Sequence, residues 1–505
     1  VYPVTCLEYT KRDDDIATRP LKQLLADIKL TDVPTYYNNG VINCNRDLMQ
    51  YNMRLKLPFT IPIITYDSCS ANELVSLINR HLVTNEAMVA EPKQQLLWYL
   101  TYMHYLRIRP PTKIKTYTPQ QVVLSKKPAK RKQYRQALIS LSKYPLNNKD
   151  YIIKMFIKNE RMDLKDPPKP PRAIQSRTPR YNICYQQYTL AYSNLWCTPL
   201  YQRVCTKGLN QYEIADWIQY HWSQYDNPVA DLLDHRFYDA KEHTLSLIYQ
   251  NMYMFLHFDD IDYLTLMQQR LSNHCVTRNG IKYRVKGTRM SGEADTSDGN
   301  STINDMMLAY VYRKVNHSRC LLGDDSVVIH SCYDNVDLTL IQSYGFQTKL
   351  SQVSQIESIE YCQCHPVKTI NGWLMVRDPL RVISRGTVCI NHSIKTVEMF
   401  KRWCRGVGEC EYSCNAGVPV LQSFAKFMLR ATNDQPIYDE AIEYHKISGK
   451  YNHQISDESR ISFNNAFSIT PQQQRGLEDY FDHLSWDEVK LTNCHEPSFP
   501  TMSSL

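Results

Sequence analysis

What is missing from this chain narrows its class before any motif is read. It holds no stretch of about 20 apolar residues, so no transmembrane helix is expected. The nearest candidate, Leu57 to Tyr66, is short and interrupted by proline. There is no glycine-rich Walker loop, no Ser-His-Asp nucleophile pattern and no internal repeat. Acidic residues are missing from one block. Between Pro92 and Lys149 there is no Asp or Glu against thirteen Lys and Arg, including Lys126, Lys127, Lys130, Arg131 and Lys132. The whole chain carries only +8, so the local excess, more than net charge, points to a polyanion partner. A merely solvated basic surface is the competing reading. Sixteen cysteines occur without a compact framework, as expected of buried thiols in a reducing compartment such as cytosol. The chain opens on Val1 without a signal peptide. It is expected to be a cleavage product or part of a longer translation product, with any membrane anchor outside it.

At 505 residues the chain can bury a large core and hold several subdomains. Residues 1 to about 90 mix short helical and irregular segments with no chemical motif. A helix is predicted around Arg131–Leu141; the aromatics Tyr117, Tyr134 and Tyr144 could stack on bases there, although core packing is the simpler reading of each. Tyr151–Lys158 reads as a buried strand, followed by a proline-rich turn and a second strand, Arg172–Arg177. This ribbon gathers Lys158, Lys169, Arg172, Arg177 and Arg180, a set able to grip phosphate oxygens.

Three acidic or polar patterns follow. Val229–Leu233 reads as a strand with Asp234 at its end, and Asp239 opens a helix. Met290 to Asn304 reads as a polar loop running into a helix whose apolar face carries Ile303, Met306, Met307, Tyr310 and Val311. Thr296 and Asn300 share a face once that helix has begun. Cys320 to His330 reads as two buried strands joined by a tight turn at Gly323, Asp324 and Asp325. Alone, that turn is either a solvated hairpin tip or a carboxylate pair awaiting a counter-charge, for which a divalent cation bound to phosphates is natural. Farther on, Leu338–Ser343 reads as a helix and Gly345–Leu350 as a turn and strand. Asn371-Gly372 marks a hairpin between 359–366 and 373–376. Ile394, Val397, Phe400, Trp403 and Val407 recur at helical spacing. The polar stretch after about 465 is expected to fray or regulate.

In this order and spacing, a basic ribbon, Asp-x4-Asp, Ser-Gly-x3-Thr-x3-Asn and Gly-Asp-Asp resemble a viral RNA-dependent RNA polymerase. The narrower resemblance is to the tombusvirus-like positive-strand RNA viruses. It rests on Pro171–Asn182, Asp234–Asp239, Tyr361–Val367 and Gly417–Leu421. The resemblance covers roughly residues 115 to 425. It implies an α+β right-hand fold with fingers, an antiparallel palm sheet flanked by helices, and a helical thumb touching the fingers. The implied boundaries are an N-terminal bridge to the thumb (1–115), fingers (116–225), palm (226–270), a fingers insertion (271–289), palm (290–385), and thumb with tail (386–505).

The expected reaction is RNA-templated transfer from NTPs to an RNA 3′-hydroxyl by a two-metal displacement. Asp234 and Asp324 are the first-choice ligands and Asp325 a weaker one, for magnesium or manganese as substitute. Asp239 and Asn300 are expected to read the ribose 2′-hydroxyl. The resemblance assigns Ser291, Gly292 and Thr296 to the loop around template and incoming ribose. Lys158 and Arg172 neutralise the triphosphate, with Arg177 and Arg180 as lesser candidates. Lys349 is the candidate acid for pyrophosphate, and the Cys362-Gln363 turn supports the product 3′ end. Lys126, Lys127, Lys130, Arg131 and Lys132 are expected to hold template.

Two departures stand out. Glu293, Ala294 and Asp295 make the loop after Gly292 acidic, which is expected to alter template handling. Cys404, Cys410 and Cys414, with Cys362, Cys364 and His365, lack a convincing four-ligand zinc spacing. Expected partners are template and product RNA, NTPs and other viral replication proteins. The expected location is host cytoplasm at membrane-associated complexes, with de novo initiation. A reverse transcriptase or DNA-directed polymerase, and a non-catalytic RNA-binding or packaging protein, are the competing readings. The Asp239–Asn300 pair speaks against the first and the carboxylates against the second.

Overall fold

The computed structural model describes residues 35–36, 50–57, 60–66, 68–81, 92–164, 169–438, 447 and 449–494. Expectations for residues 1–34 and 495–505 lie outside that range. The fold is α+β and is organised around a four-stranded antiparallel sheet. Its strands run, in spatial order, His317–Leu322, Asp325–Ser331, Pro228–His235 and Thr348–Val353. Each inner strand is buried on both faces, which explains the apolar runs Val327–Ile329 and Val229–Ala230. One face packs Leu233, Leu321 and Val328 against helix Thr296–Val311, through Ile303, Met306 and Met307, and against the aromatics Trp98, Tyr102 and Tyr105 of helix Pro92–Ile108. The other face packs Ala230, Cys320, Val327 and Ile329 on Trp217 and Ile218 of helix Gln211–Trp222.

A second, five-stranded sheet has the order Thr35–Tyr36, Lys282–Lys286, Ser272–Thr277, Ile153–Ile157, Ala173–Ser176. The basic ribbon therefore joins a distant hairpin, with Ile153–Ile157 parallel to Ser272–Thr277. Helix Ser70–Ser76 and the turn Leu77–His81 cover its buried face. Ribbon and C-terminal half are tied together: Asp163 pairs with Arg381 at 2.7 Å and Arg385 at 2.9 Å.

The C-terminal layer holds helices Val397–Cys414 and Leu421–Leu429 around Phe400, Trp403, Phe424 and Phe427. The expected fraying after about 465 is corrected. Thr470 and Gln473 form a capping box with Pro471 in the first turn, so helix Pro471–His483 starts firmly. Its Phe481 is fully buried, and Trp486 stacks on Phe427 at 5.1 Å. Strand Lys490–Cys494 then pairs with Gln50–Arg54, which pairs in turn with Val388–Cys389. The polar residues that suggested a loose tail are the outer faces of packed elements.

Candidate active site

The Gly-Asp-Asp turn is a two-residue hairpin loop, with Leu322 paired to Asp325 and Gly323 at φ 69°. Glycine at the first loop position meets that positive φ without steric cost. Ser326 lies opposite Leu233, so Asp325 and Asp234 come side by side at the ends of neighbouring strands. Helix Thr296–Val311 clasps the turn. Ser301 Oγ accepts from Gly323 N–H at 2.9 Å, and Asn304 Nδ2 donates to the Gly323 carbonyl at 3.1 Å. Neither residue stands out in the sequence, because Ser and Asn within a helix carry no signal of their own.

The carboxylates perturb one another. Asp324 and Asp325 keep exposed surface, yet the protein around their carboxyl groups removes enough water to dominate their titration. Burial, then Asp325 and Asp239, push Asp324 up to about 7; burial and Asp234 push Asp325 up to about 6. Among the described residues, none of Asp234, Asp324 and Asp325 forms an ion pair, and no three His, Cys, Asp or Glu side chains converge into a preformed metal cage. Magnesium does not require one, being commonly held by one or two carboxylates with water and substrate phosphates. Crowded, uncompensated carboxylates fit that donor set.

Beside this cluster, Asp239 lies in the short helix Tyr238–Lys241, reached through Phe237 at φ 53°. Asn300 Nδ2 donates to Asp239 Oδ1 at 2.6 Å, and Ser291 Oγ donates to Asp239 Oδ2. The predicted Asp239, Ser291 and Asn300 are thus assembled into one polar set. Thr296 begins the helix, but its hydroxyl turns back to the carbonyls of Met290 and Glu293 at 3.2 and 3.1 Å, so it shapes the loop. Gly292 is a close-approach position. A Cβ there would lie 2.8 Å from the Gln175 carbonyl, so the loop can seat directly on the ribbon.

On the ribbon, Lys158 and Arg172 share Glu160, at 3.0 and 3.5 Å. Arg172 counters the upward shifts of both Asp324 and Asp325. Arg177 and Arg180, expected beside them, are corrected. Arg177 is buried against Glu293 and donates to the Gln269 carbonyl and Asn273. Arg180 binds Asp150, Ser140 and the carbonyls of Tyr144 and Pro145. Both are consumed inside the fold. The acidic loop is corrected as well. Glu293 and Asp295 are buried and paired with Arg270 at 2.9 and 2.8 Å, and Asp295 also with Arg289 at 2.8 Å, so they do not face a template.

Lys349 is the cross-strand neighbour of Asp234 and is exposed. The Tyr361–Cys364 turn is closed by two backbone bonds of 2.9 and 3.0 Å, with Cys362 and Gln363 both at positive φ. A turn of that kind built without glycine is strained, and it brings Cys362 against Asp325. Its partner hairpin, Cys364–Thr369 with Gly372–Arg377, forms where Asn371-Gly372 marked it. Cys404, Cys410 and Cys414 are buried in helix Val397–Cys414.

The basic block lies apart, on helix Pro128–Leu141, which packs on helix Pro179–Ser193. Lys126 sits over the buried ring of Tyr134 at 5.2 Å, and Arg131 donates to the carbonyls of Lys126 and Leu124. Lys130 and Lys132 are exposed, as is Tyr144.

One cation was not anticipated. Arg80 donates to the Pro170 carbonyl at 2.8 Å and lies 5.8 Å from the Phe237 ring. Burial, then Arg172, push it down to about 10, while Glu160 and Asp239 pull the other way. It belongs to the same polar surface.

A family model described as viral RNA-dependent RNA polymerase matches residues 45–489. The chain is 31% identical over 381 residues to the RNA-directed RNA polymerase of Tobacco necrosis virus (strain A), covering 69% of this chain and 52% of that protein. Against the RNA-directed RNA polymerase of Groundnut rosette virus (strain MC1) the identity is 29% over 387 residues, covering 69% and 45%. Against that of Carnation mottle virus it is 31% over 359 residues, covering 65% and 46%. The chain spans about half the length of the curated relatives it matches. Because the family match runs through the central sheet, four of the five strands of the second sheet and the C-terminal helices, this chain belongs to the viral RNA-dependent RNA polymerases.

Proposed function

We propose that the chain copies RNA on an RNA template, joining NTPs to an RNA 3′-hydroxyl. The observation that carries this reading is the Gly323-Asp324-Asp325 turn set against Asp234, with the Asp239–Asn300 pair beside it. The central sheet serves as palm, the ribbon sheet as fingers and the C-terminal helices as thumb. Asp163 with Arg381 and Arg385 joins fingers to the end of the palm, while Gln50–Arg54 pairs with the thumb strand Lys490–Cys494 and Ile63–Ile64 with the fingers strand Met162–Asp163.

In the reaction the 3′-hydroxyl oxygen bonds to the α-phosphorus as the bond to pyrophosphate breaks. Asp234 and Asp324, with Asp325 as a weaker ligand, would hold magnesium or manganese, which supplies positive charge to the attacking and leaving oxygens. Asp239 and Asn300 distinguish ribose from deoxyribose. Lys158 and Arg172 exchange Glu160 for triphosphate oxygens, so substrate replaces an internal anion without leaving the cations unpaired. Lys349, the exposed cross-strand neighbour of Asp234, is the proposed acid for pyrophosphate, and the Cys362-Gln363 turn is proposed to support the product 3′ end. Lys126, Lys127, Lys130, Arg131 and Lys132 offer a surface for template phosphates. Initiation is de novo. Synthesis takes place in host cytoplasm at membrane-associated complexes, with other replication proteins and an anchor outside this chain.

The test is extension on a defined RNA template with and without primer. Wild type is expected to make product in both conditions and Asp324→Ala in neither. A folded wild type that incorporates no NTP with magnesium or manganese overturns the reading, and product only with primer overturns de novo initiation.

A further inference from the structure

The Asn300 side chain poses a problem of polarity. Its amide oxygen and nitrogen are nearly equal in size, so shape alone does not decide which of them faces Asp239. A neighbour with donors only can decide it. Arg289 is such a neighbour: its Nε donates to Asn300 Oδ1 at 2.8 Å, leaving Nδ2 to donate to Asp239 at 2.6 Å. Turned the other way, the amide would set N–H against guanidinium and carbonyl against carboxylate, repulsive at both ends.

The guanidinium is itself held at every nitrogen. Nη1 donates to Asp295 at 2.8 Å, Nη2 donates to Gln250 at 3.0 Å, and Glu242 lies 2.9 Å from Nη2. The Arg289 backbone N–H donates to the Asp239 carbonyl at 2.8 Å. One buried residue therefore fixes the side chain of one member of the pair and the main chain of the other. A second observation is independent of these bonds. A Cβ on Gly299 would lie 2.5 to 2.7 Å from three guanidinium atoms. Glycine is a poor helix former compared with alanine, yet here its missing side chain is the space the guanidinium occupies.

The geometry points to Arg289 as the positioning residue that sets preference for ribonucleotides over 2′-deoxyribonucleotides. It holds Asn300 so that Nδ2 can donate to the 2′-oxygen while Asp239 accepts the hydroxyl proton. Arg289 reaches neither sugar nor phosphate and acts through Asn300. This inference rests on the proposed polymerase reading.

The experiment compares kcat/KM for an NTP and its 2′-dNTP on one primed RNA template. Arg289→Lys keeps a cation beside Asp295 and Glu242 but loses the directed Nε donor. Its NTP preference is expected to fall about tenfold or more, mainly through the NTP. Gly299→Ala, which displaces the guanidinium without removing it, moves the ratio the same way and serves if Arg289→Lys does not fold. Adding Asn300→Ala to Arg289→Lys lowers the ratio no further than Asn300→Ala alone, because both act at one amide. Arg270→Lys, in the same ionic network without a contact to Asn300, lowers thermal stability and leaves the ratio unchanged. Folded Arg289→Lys or Gly299→Ala protein with wild-type preference overturns the assignment, as does additivity with Asn300→Ala. A wild type that incorporates neither nucleotide overturns the polymerase reading instead.

Discussion

Two groups of acids flank the first turns of helix Thr296–Val311 and behave as opposites. Asp234, Asp324 and Asp325 reach solvent, have no ion-pair partner among the described residues, and repel one another. Glu293 and Asp295 are buried and held by Arg177, Arg270 and Arg289. Despite burial, Arg270 and Arg289 keep Asp295 below the usual carboxylate range. Glu242 is intermediate: burial outweighs Arg289 and pushes it up to about 8. The contrast separates two uses of negative charge. Acids with fixed partners hold a loop in place. Acids left without partners leave room for a mobile cation that arrives with substrate.

The sharpest way to break that contrast is to delete one acid from each group. Asp234→Ala and Asp324→Ala are expected to lower nucleotide incorporation roughly a thousandfold or more, about 4 kcal/mol of barrier, while the melting temperature holds or rises. Synthesis by either folded variant within about tenfold of wild type would erase the distinction from the catalytic side. Asp295→Ala should do the reverse. It leaves Arg270 and Arg289 without their shared partner, and breaking a buried pair costs about 3–5 kcal/mol. Denaturant unfolding of wild type and variant measures this; equal stabilities would mean the buried acids are not structural.

Legibility in the sequence followed the same division. The Gly323 hairpin, Asp234 near its strand end and the Thr296–Asn300 spacing are local patterns, and the chain folds them as they read. The burial of Arg177 follows from strand parity. Arg172 and Arg177 are five apart, so period-two alternation puts them on opposite faces, and the buried face is the one with Ala173 and Gln175. The Thr470–Gln473 capping box could likewise have argued against a loose tail. Other features had no local signature. Glu293 and Asp295 look as solvated as Asp324 and Asp325, because Arg177 and Arg270, which hold them, come from other parts of the chain. Arg80 comes from a stretch without any motif and reaches the site only through tertiary packing.

The cations sharpen the comparison at smaller amplitude. Lys158 and Arg172 are exposed and share one exchangeable partner, Glu160. Lys158→Ala or Arg172→Ala should raise the KM for NTP about tenfold, roughly 1.4 kcal/mol, with little change in melting temperature. Arg180→Ala should lower the melting temperature and leave KM unchanged, since it ties Asp150 and Ser140 to the turn at Tyr144. Steady-state kinetics beside thermal unfolding separates the two, and a KM effect from Arg180→Ala would return it to the substrate side.

The smallest expected effect is the most direct probe of the unpartnered acids. In the unfolded chain Asp324 ionises near its ordinary value of 3.8, whereas in the fold it holds its proton to about 7. Between those values the unfolded chain has lost a proton that the folded chain keeps, so raising the pH favours unfolding. Above about 7 both states are ionised and the penalty stays constant. Asp324→Asn removes it. At pH 8 without divalent metal the variant should be the more stable, by about 1 kcal/mol once solvent screening at an exposed site is allowed for. The advantage should shrink as pH falls through 7 toward 4. Magnesium should close the gap from the other side, because a cation that binds the folded wild type stabilises it by mass action and finds one ligand fewer in the variant. A difference in melting temperature that ignores both pH and magnesium would show that Asp324 carries no uncompensated charge in the fold.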